Sequence, residues 1–222
     1  MRSTLTHVFF WSGPLSNWHL GRPFSGARAW EETVRRLDAL GIDRPSDAAL
    51  SSRLLRDAVY SCGEQWMMAC KAWLFDRRPV ALDEDPSIDV ASRYAEIRAM
   101  RVPDRMAALA QILNSDDPRR QKHLGSSKGP IVGYDEAIWA AARVACVIGG
   151  IIARMETDPK ARRTLLDTGD RILVEGSPHD RVWGVGLRWD DPAIEDPDRW
   201  RGLNLLGVAH GEARPILRST HP

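Results

Sequence analysis

A chain of 222 residues, 43% hydrophobic and 27% charged, is long enough to bury one substantial core and is read as a single domain, residues 1–222. Thirty-one basic side chains against thirty acidic ones leave a net charge of +1, which excludes a uniformly basic nucleic-acid coat and leaves only local patches for a charged partner. Cys62, Cys70 and Cys146 lack CxxC spacing, the apolar run 8–11 is too short for a signal peptide, and the longest apolar stretch, 144–153, is about half the ~20 residues that cross a bilayer, so a cytoplasmic protein without a membrane span is expected.

In chain order, residues 8–11 predict an opening strand and Gly13-Pro14-Leu15-Ser16-Asn17-Trp18 a turn around one aromatic. Helical periodicity covers 29–40, stopped by Gly41, then 46–60 and 63–75. Residues 76–89 read as a proline-rich acidic loop, 91–113 as a charged helix, 114–130 as a second loop, and 135–155 as a long core helix weakened by Gly149-Gly150. Asp158-Pro159 starts a helix over 159–167 that Gly169 stops. Residues 171–175 and 182–189, joined by a turn over 176–180, predict a β-hairpin, and 200–213 a last helix bearing Asn204. The fold class is therefore α+β, mainly helical, with short strands and a C-terminal hairpin.

The 63–75 segment carries the main chemical signal. It is apolar nearly all round, which marks a buried helix, yet Glu64 and Lys71 lie on one stripe with Met67 and Met68 between them, about 10 Å apart along the axis. Burying either charge is costly, so each must meet a partner, line a wet cleft or shift its pKa. A lysine on an apolar helix loses hydration of its charged form, which frees the amine as a nucleophile.

Other polar residues recur at element ends. Glu175 and Asp180 bracket a Gly-Ser-Pro turn before Trp183-Gly184-Val185-Gly186; paired acids can move protons, or Asp180 caps the turn while Glu175 pairs with an arginine. The GxG lacks a third glycine and is no dinucleotide fingerprint. Gly125-Ser126-Ser127-Lys128-Gly129, after Arg119, Arg120, Lys122 and His123, offers N–H groups and cations to a phosphate, or is a solvated basic loop. The six histidines, His221 included, show no metal-ligand spacing, so no metal is expected. Of nine tryptophans, Trp11, Trp18 and Trp183 sit on turns where an indole can stack on a ring.

Several ordered motifs together resemble the NADAR (YbiA-like) family: Phe10-Trp11 with Ser16-Asn17-Trp18; Glu64-Gln65-Trp66-Met67-Met68 with Lys71-Ala72; Lys122-His123-Leu124-Gly125; Gly133-Tyr134-Asp135 with Trp139 and Arg143; Leu173-Val174-Glu175-Gly176-Ser177-Pro178-His179-Asp180; and Gly202-Leu203-Asn204-Leu205-Leu206-Gly207. Residues 25–60 and 76–112 fit least and read as insertions. The resemblance implies a YbiA-like fold and hydrolysis of N-glycosidic bonds between a phosphorylated ribose and a nitrogenous group, without a cofactor. One branch releases ADP-ribose from guanine in DNA, countering a DNA ADP-ribosyltransferase toxin; another destroys phosphoribosylamino intermediates of riboflavin synthesis. In the first, the motif lysine, here Lys71, attacks the anomeric carbon and forms a Schiff base. Glu64 and Asp180 are then the supporting catalytic residues, in roles that can be exchanged, and Trp11, Ser16, Asn17, Trp18, Met68, Gly125, Lys128, Glu175, Ser177, Trp183, Gly184 and Asn204 the substrate contacts.

The chain departs from the family pattern where Ser126 replaces an arginine, where Gly149-Gly150-Ile151-Ile152-Ala153 lacks an asparagine and a lysine, and at Ala209-His210. These departures weaken the expected phosphate side and leave a catalytically silent ADP-ribose-binding module as an alternative.

Overall fold

The computed structural model describes residues 1–220 apart from Glu84, Pro86 and Ser87; those three positions of the expected 76–89 loop, and His221, lie outside the described residues. The chain runs β1 (Arg2–Ser3), β2 (His7–Phe10), β3 (Phe24–Ser25), α1 (Gly26–Ala39), α2 (Leu50–Asp57), β4 (Val59–Tyr60), α3 (Gly63–Phe75), α4 (Val90–Ala99), α5 (Ala108–Leu113), α6 (Pro118–Leu124), α7 (Glu136–Thr157), α8 (Pro159–Leu166), β5 (Ile172–Glu175) and α9 (Leu205–Thr220), with two short 3-10 turns at Pro192–Glu195 and Pro197–Arg199. This is the expected α+β class.

α3 is the central rod, every one of its residues buried. It packs with α7, α5, α6 and α2 around Trp66, Ile148 and Ile151, and its Trp73 meets Trp30 of α1 edge-on at 5.2 Å. Trp66 donates its indole N–H to the Cys146 carbonyl at 2.8 Å, so even the polar edge of this ring is satisfied inside. α7 is long and apolar enough to cross a bilayer, but its apolar face is spent on this core. Gly149-Gly150 explains how closely the helices approach. A Cβ on Gly149 would lie 2.2 Å from Thr33 Oγ1 and 2.5 Å from the Ala29 carbonyl of α1, and one on Gly150 would lie 2.5 Å from the Trp66 ring. The pair permits two crossings rather than weakening the helix.

The sheet corrects the expected hairpin. β5 pairs in parallel with β2, His7 opposite Ile172 and Phe10 opposite Glu175, while β1 adds an antiparallel edge. Residues 182–189 form no strand: Val185 N–H meets the Glu175 carbonyl and Trp189 N–H meets Gly176, but Gly186 at φ +70° turns the chain away between them. Val185 and Leu187 instead cover the outer face with Phe9, Val174 and Ile194.

Four further boundaries differ. The 46–60 segment is helical only over α2; Val59-Tyr60 then pairs with Phe24-Ser25, and the Tyr60 and Phe24 rings stack at 5.7 Å. The 91–113 segment is two helices, because Pro103 has no N–H and pushes its predecessor out of the helical region. The 114–130 loop contains α6, opened by Asp117-Pro118 with the Asp117 carboxylate accepting the Arg119 N–H at 3.0 Å. The last helix begins at Leu205, not 200, because Asn204 stands before it at φ +54°.

Candidate active site

A cleft of about 930 Å³ opens between α3, the 11–20 loop, the end of α6, the start of α7 and the turn after β5. Of the residues expected from sequence, Lys71, Glu64, Asp180, Trp11, Ser16, Asn17, Trp18, Met68, Gly125, Glu175, Ser177 and Trp183 line it. Three do not. Lys128 is exposed beyond the α6 turn, away from the cleft lining. Gly184 lies behind the wall, where a Cβ would be 2.9 Å from the Glu175 carbonyl. Asn204 is buried and acts on backbone: its Oδ1 accepts the Glu175 N–H at 2.9 Å and its Nδ2 donates to the Leu173 carbonyl at 2.8 Å, fixing the end of β5.

The 11–20 loop is held by buried groups from two helices. Arg154 of α7 donates to the Ser16 carbonyl at 2.7 Å, and His210 of α9 donates through Nε2 to the Leu15 carbonyl at 2.8 Å. The Asn17 carbonyl accepts the Glu64 N–H at the first turn of α3. Burial, with Arg154 nearby, pushes the His210 imidazole down to about 3, so it is neutral although its bond to Leu15 favours the charged form. His210, a departure from the family pattern, is thus a loop fastener, and Gly149-Gly150-Ile151-Ile152-Ala153 runs through the helical core.

Lys71 occupies one end of the cleft. Its Nζ donates to the Gly125 carbonyl at 2.8 Å and sits 4.0 Å from the centre of the Tyr134 ring and 5.6 Å from that of Trp139. It makes no ion pair among the described residues, so the Glu64–Lys71 pair that their shared stripe allowed does not form. Burial lowers its pKa, the more distant Glu136 carboxylate offsetting part of the cost. Gly125 can approach because it has no side chain: a Cβ there would strike the Met68 thioether. Behind this end, Tyr134 donates its hydroxyl to Glu136, whose other oxygen faces Arg143 at 3.7 Å. Tyr134, Glu136, Trp139, Arg143 and Lys122 all line the cleft; apart from Glu136 they stood in the motifs but were not assigned to the site, since spacing alone gives no direction to their side chains.

Three carboxyl groups occupy the other end. Asp180 Oδ1 accepts the N–H groups of Val182 and Trp183 at 2.9 and 2.8 Å, so it does cap its turn, while Oδ2 faces Lys122 at 3.7 Å. Glu175 does not pair with an arginine; its Oε2 is buried without a hydrogen-bond partner. Burial raises the Glu64 carboxyl to about 7, with Lys122 and the Trp18 indole offsetting it in part and Asp180 adding to it. Burial, then the neighbouring Asp180 and Glu64, raises Glu175 to about 8.

These shifts set a pH dependence for stability. Both carboxyls titrate higher folded than unfolded, where a glutamate sits near about 4.3, so their contribution is full below that value and is lost as pH rises toward 7 for Glu64 and 8 for Glu175. Thermal unfolding followed from pH 5 to pH 8 should show a fall in Tm that the double replacement Glu64→Gln, Glu175→Gln makes shallower. An equal slope in both proteins would reject the raised values.

The chain is 27% identical over 150 residues to a protein named N-glycosidase R617 from Acanthamoeba polyphaga mimivirus, covering 68% of this chain and 70% of that one. It is 31% identical over 120 residues to protein irg-1 of Caenorhabditis elegans, covering 54% of this chain and 56% of that one. With the maize chloroplastic riboflavin biosynthesis protein PYRR it shares 25% identity over 123 residues, 54% of this chain but 18% of the relative. Among solved structures, the NMR structure of the E. coli protein YbiA superposes with a TM-score of 0.53 at 18% identity, covering 97% of this chain and 86% of that one, which shows a common fold. The model of the NADAR domain matches residues 9–218, nearly the whole chain and every wall of the cleft, and the protein belongs to the NADAR domain family.

Proposed function

We propose that this protein is an N-glycosidase that breaks the bond between the anomeric carbon of a phosphorylated ribose and a nitrogen, and that its substrate is guanine ADP-ribosylated in DNA or a related ADP-ribosyl nucleobase. Family membership and a relative named as an N-glycosidase support the reaction class. The observation that carries the reading is Lys71: an amine without a carboxylate partner among the described residues, its charged form disfavoured by burial, at one end of a cleft whose other end holds three carboxyl groups.

In this reading the Lys71 amine attacks the anomeric carbon, the nitrogenous group departs, and ring opening leaves a Schiff base that water hydrolyses. Asp180 stabilises positive charge on the ribose and Glu64 assists proton movement. Trp11 and Trp18, both partly exposed at the mouth, offer faces to the base. Lys122 and Arg143 are cleft cations for the phosphates, in place of the expected Lys128, Arg119 or Arg120. The cleft volume lies within the range of about 300–1,000 Å³ usual for small-molecule sites. The reading implies a functional counterpart that attaches ADP-ribose to DNA, such as an ADP-ribosyltransferase toxin.

Incubation with guanine-ADP-ribosylated DNA and, separately, with a ribosylaminopyrimidine phosphate, following sugar release, tests it. Turnover of the DNA supports the proposal. Turnover of the pyrimidine alone moves the substrate to riboflavin intermediates, the reading that similarity to the maize protein favours. Turnover of neither, with ADP-ribose still bound, overturns the enzyme in favour of a silent binding module.

A further inference from the structure

The three carboxyl groups facing Lys71 are not equivalent. Asp180, one of the two acids at the turn that could move protons, has both oxygens committed: Oδ1 to two backbone N–H groups, Oδ2 toward the Lys122 ammonium. An oxygen that already accepts two donors has no place for its own proton.

Glu175 is the opposite case. Its backbone is clamped on both sides, the N–H to Asn204 and the carbonyl by Val185 and Ser177, so its side chain projects from a fixed point at the end of β5. Yet Oε2 is buried in the cleft wall and meets no donor among the described residues. The charged groups toward it are Glu64 from α3 and Asp180 from its own turn, both of like sign, and Lys122 from α6, already turned to Asp180. β2 and α9, which flank β5, bring His7, His210 and Arg214, bonded to Thr6, to the Leu15 carbonyl, and to Thr168 with Arg171. A buried carboxyl oxygen with no donor, beside two other acids, is stable in its protonated form.

We infer that Glu175 is the general acid of the cleft and gives its proton to the departing nitrogen, with Asp180 fixed beside it as the charge that keeps that proton in place. The inference rests on the glycosidase reading above. As the carbon–nitrogen bond breaks, the nitrogen keeps the bonding electron pair and takes the Glu175 proton, while Lys71 supplies the new pair to the anomeric carbon. The proton then shed by the Lys71 nitrogen returns through water to the Glu175 carboxylate, and the acid is restored. The raised value near 8 agrees with an acid still protonated at neutral pH and lost above it.

The test compares wild type with Glu175→Gln on two ADP-ribosides: one whose leaving base needs a proton, and an ADP-ribosyl pyridinium, whose pyridine departs without one. Glu175→Gln should lose about 10²–10³-fold on the first and at least about tenfold less on the second, and circular dichroism with a thermal scan checks that the variant is folded. Equal losses on both, or none on the first, would overturn the assignment. In the free protein, carbon-13 NMR of the Glu175 carboxyl should titrate near 8; a midpoint near about 4.3 would overturn it independently of turnover. Wild type inert on both ribosides would instead reject the glycosidase reading, and this inference with it.

Discussion

Lys71→Ala is expected to lower turnover on the order of 10⁴-fold or more, the scale on which loss of a covalent nucleophile is felt, and to abolish borohydride trapping of a sugar adduct. The replacement removes one amine and one hydrogen bond, to the Gly125 carbonyl, and also removes a cation that is costly to bury. Those terms oppose each other. The melting temperature should therefore stay within a few degrees of wild type, and circular dichroism with a thermal scan separates lost chemistry from lost fold. Lys71→Arg makes a second control, because a guanidinium keeps the charge and a donor for Gly125 but has no free amine; it should be as inactive as alanine. Full activity in Lys71→Ala would remove the Schiff base from the mechanism.

The largest stability effect is expected where α1 meets α7. Gly149→Leu places a branched side chain where even a Cβ meets Thr33 Oγ1 at 2.2 Å and the Ala29 carbonyl at 2.5 Å, and backbone cannot rotate out of the way as a side chain can. Overpacking of this kind should cost about 3 kcal/mol or more, roughly 6–12 °C in Tm for a domain of this size. Gly211→Ala on α9 is the matched control: a Cβ there meets nothing within 4 Å, and alanine favours the helix by up to about 1 kcal/mol. Equal melting temperatures for the two variants would show that the α1–α7 crossing is less tight than described.

The helices were legible where local signals and burial agreed. α3 reads from sequence to the residue, because an apolar run after Cys62-Gly63 has no competing breaker, and α8 is announced by Asp158-Pro159 and closed by Gly169 at φ +62°. The same aspartate-proline signature at Asp117-Pro118 opens α6, yet the glycines and serines beyond it suggested a loop throughout. Pro103 inside an otherwise charged, helical-looking run should have divided α4 from α5. The hairpin failed for a different reason. Two apolar runs around a tight turn are a local cue, whereas the partner that β5 takes is β2, near the other end of the chain.

The site followed the same rule. Residues carried by motifs reached the cleft, but their roles depended on side-chain direction, which spacing does not give. Asn204 proved to hold backbone, Lys128 to lie outside, and Tyr134, Trp139 and Arg143 to surround the amine. The raised carboxyls come from burial and mutual proximity among Glu64, Glu175 and Asp180, residues that only the fold brings together.

The parallel pairing of β2 with β5 also has a consequence for how the molecule comes to be. Contacts that close about 165 residues of chain are slow to form and add nothing until both ends exist. The helical core of α1, α3 and α7 can assemble during synthesis, whereas Glu175, Asp180 and the fastener His210 arrive only with the last stretch of chain. On a ribosome, Glu64 and Lys71 emerge together before Glu175 and Asp180, and the cleft becomes complete only as β5 meets β2.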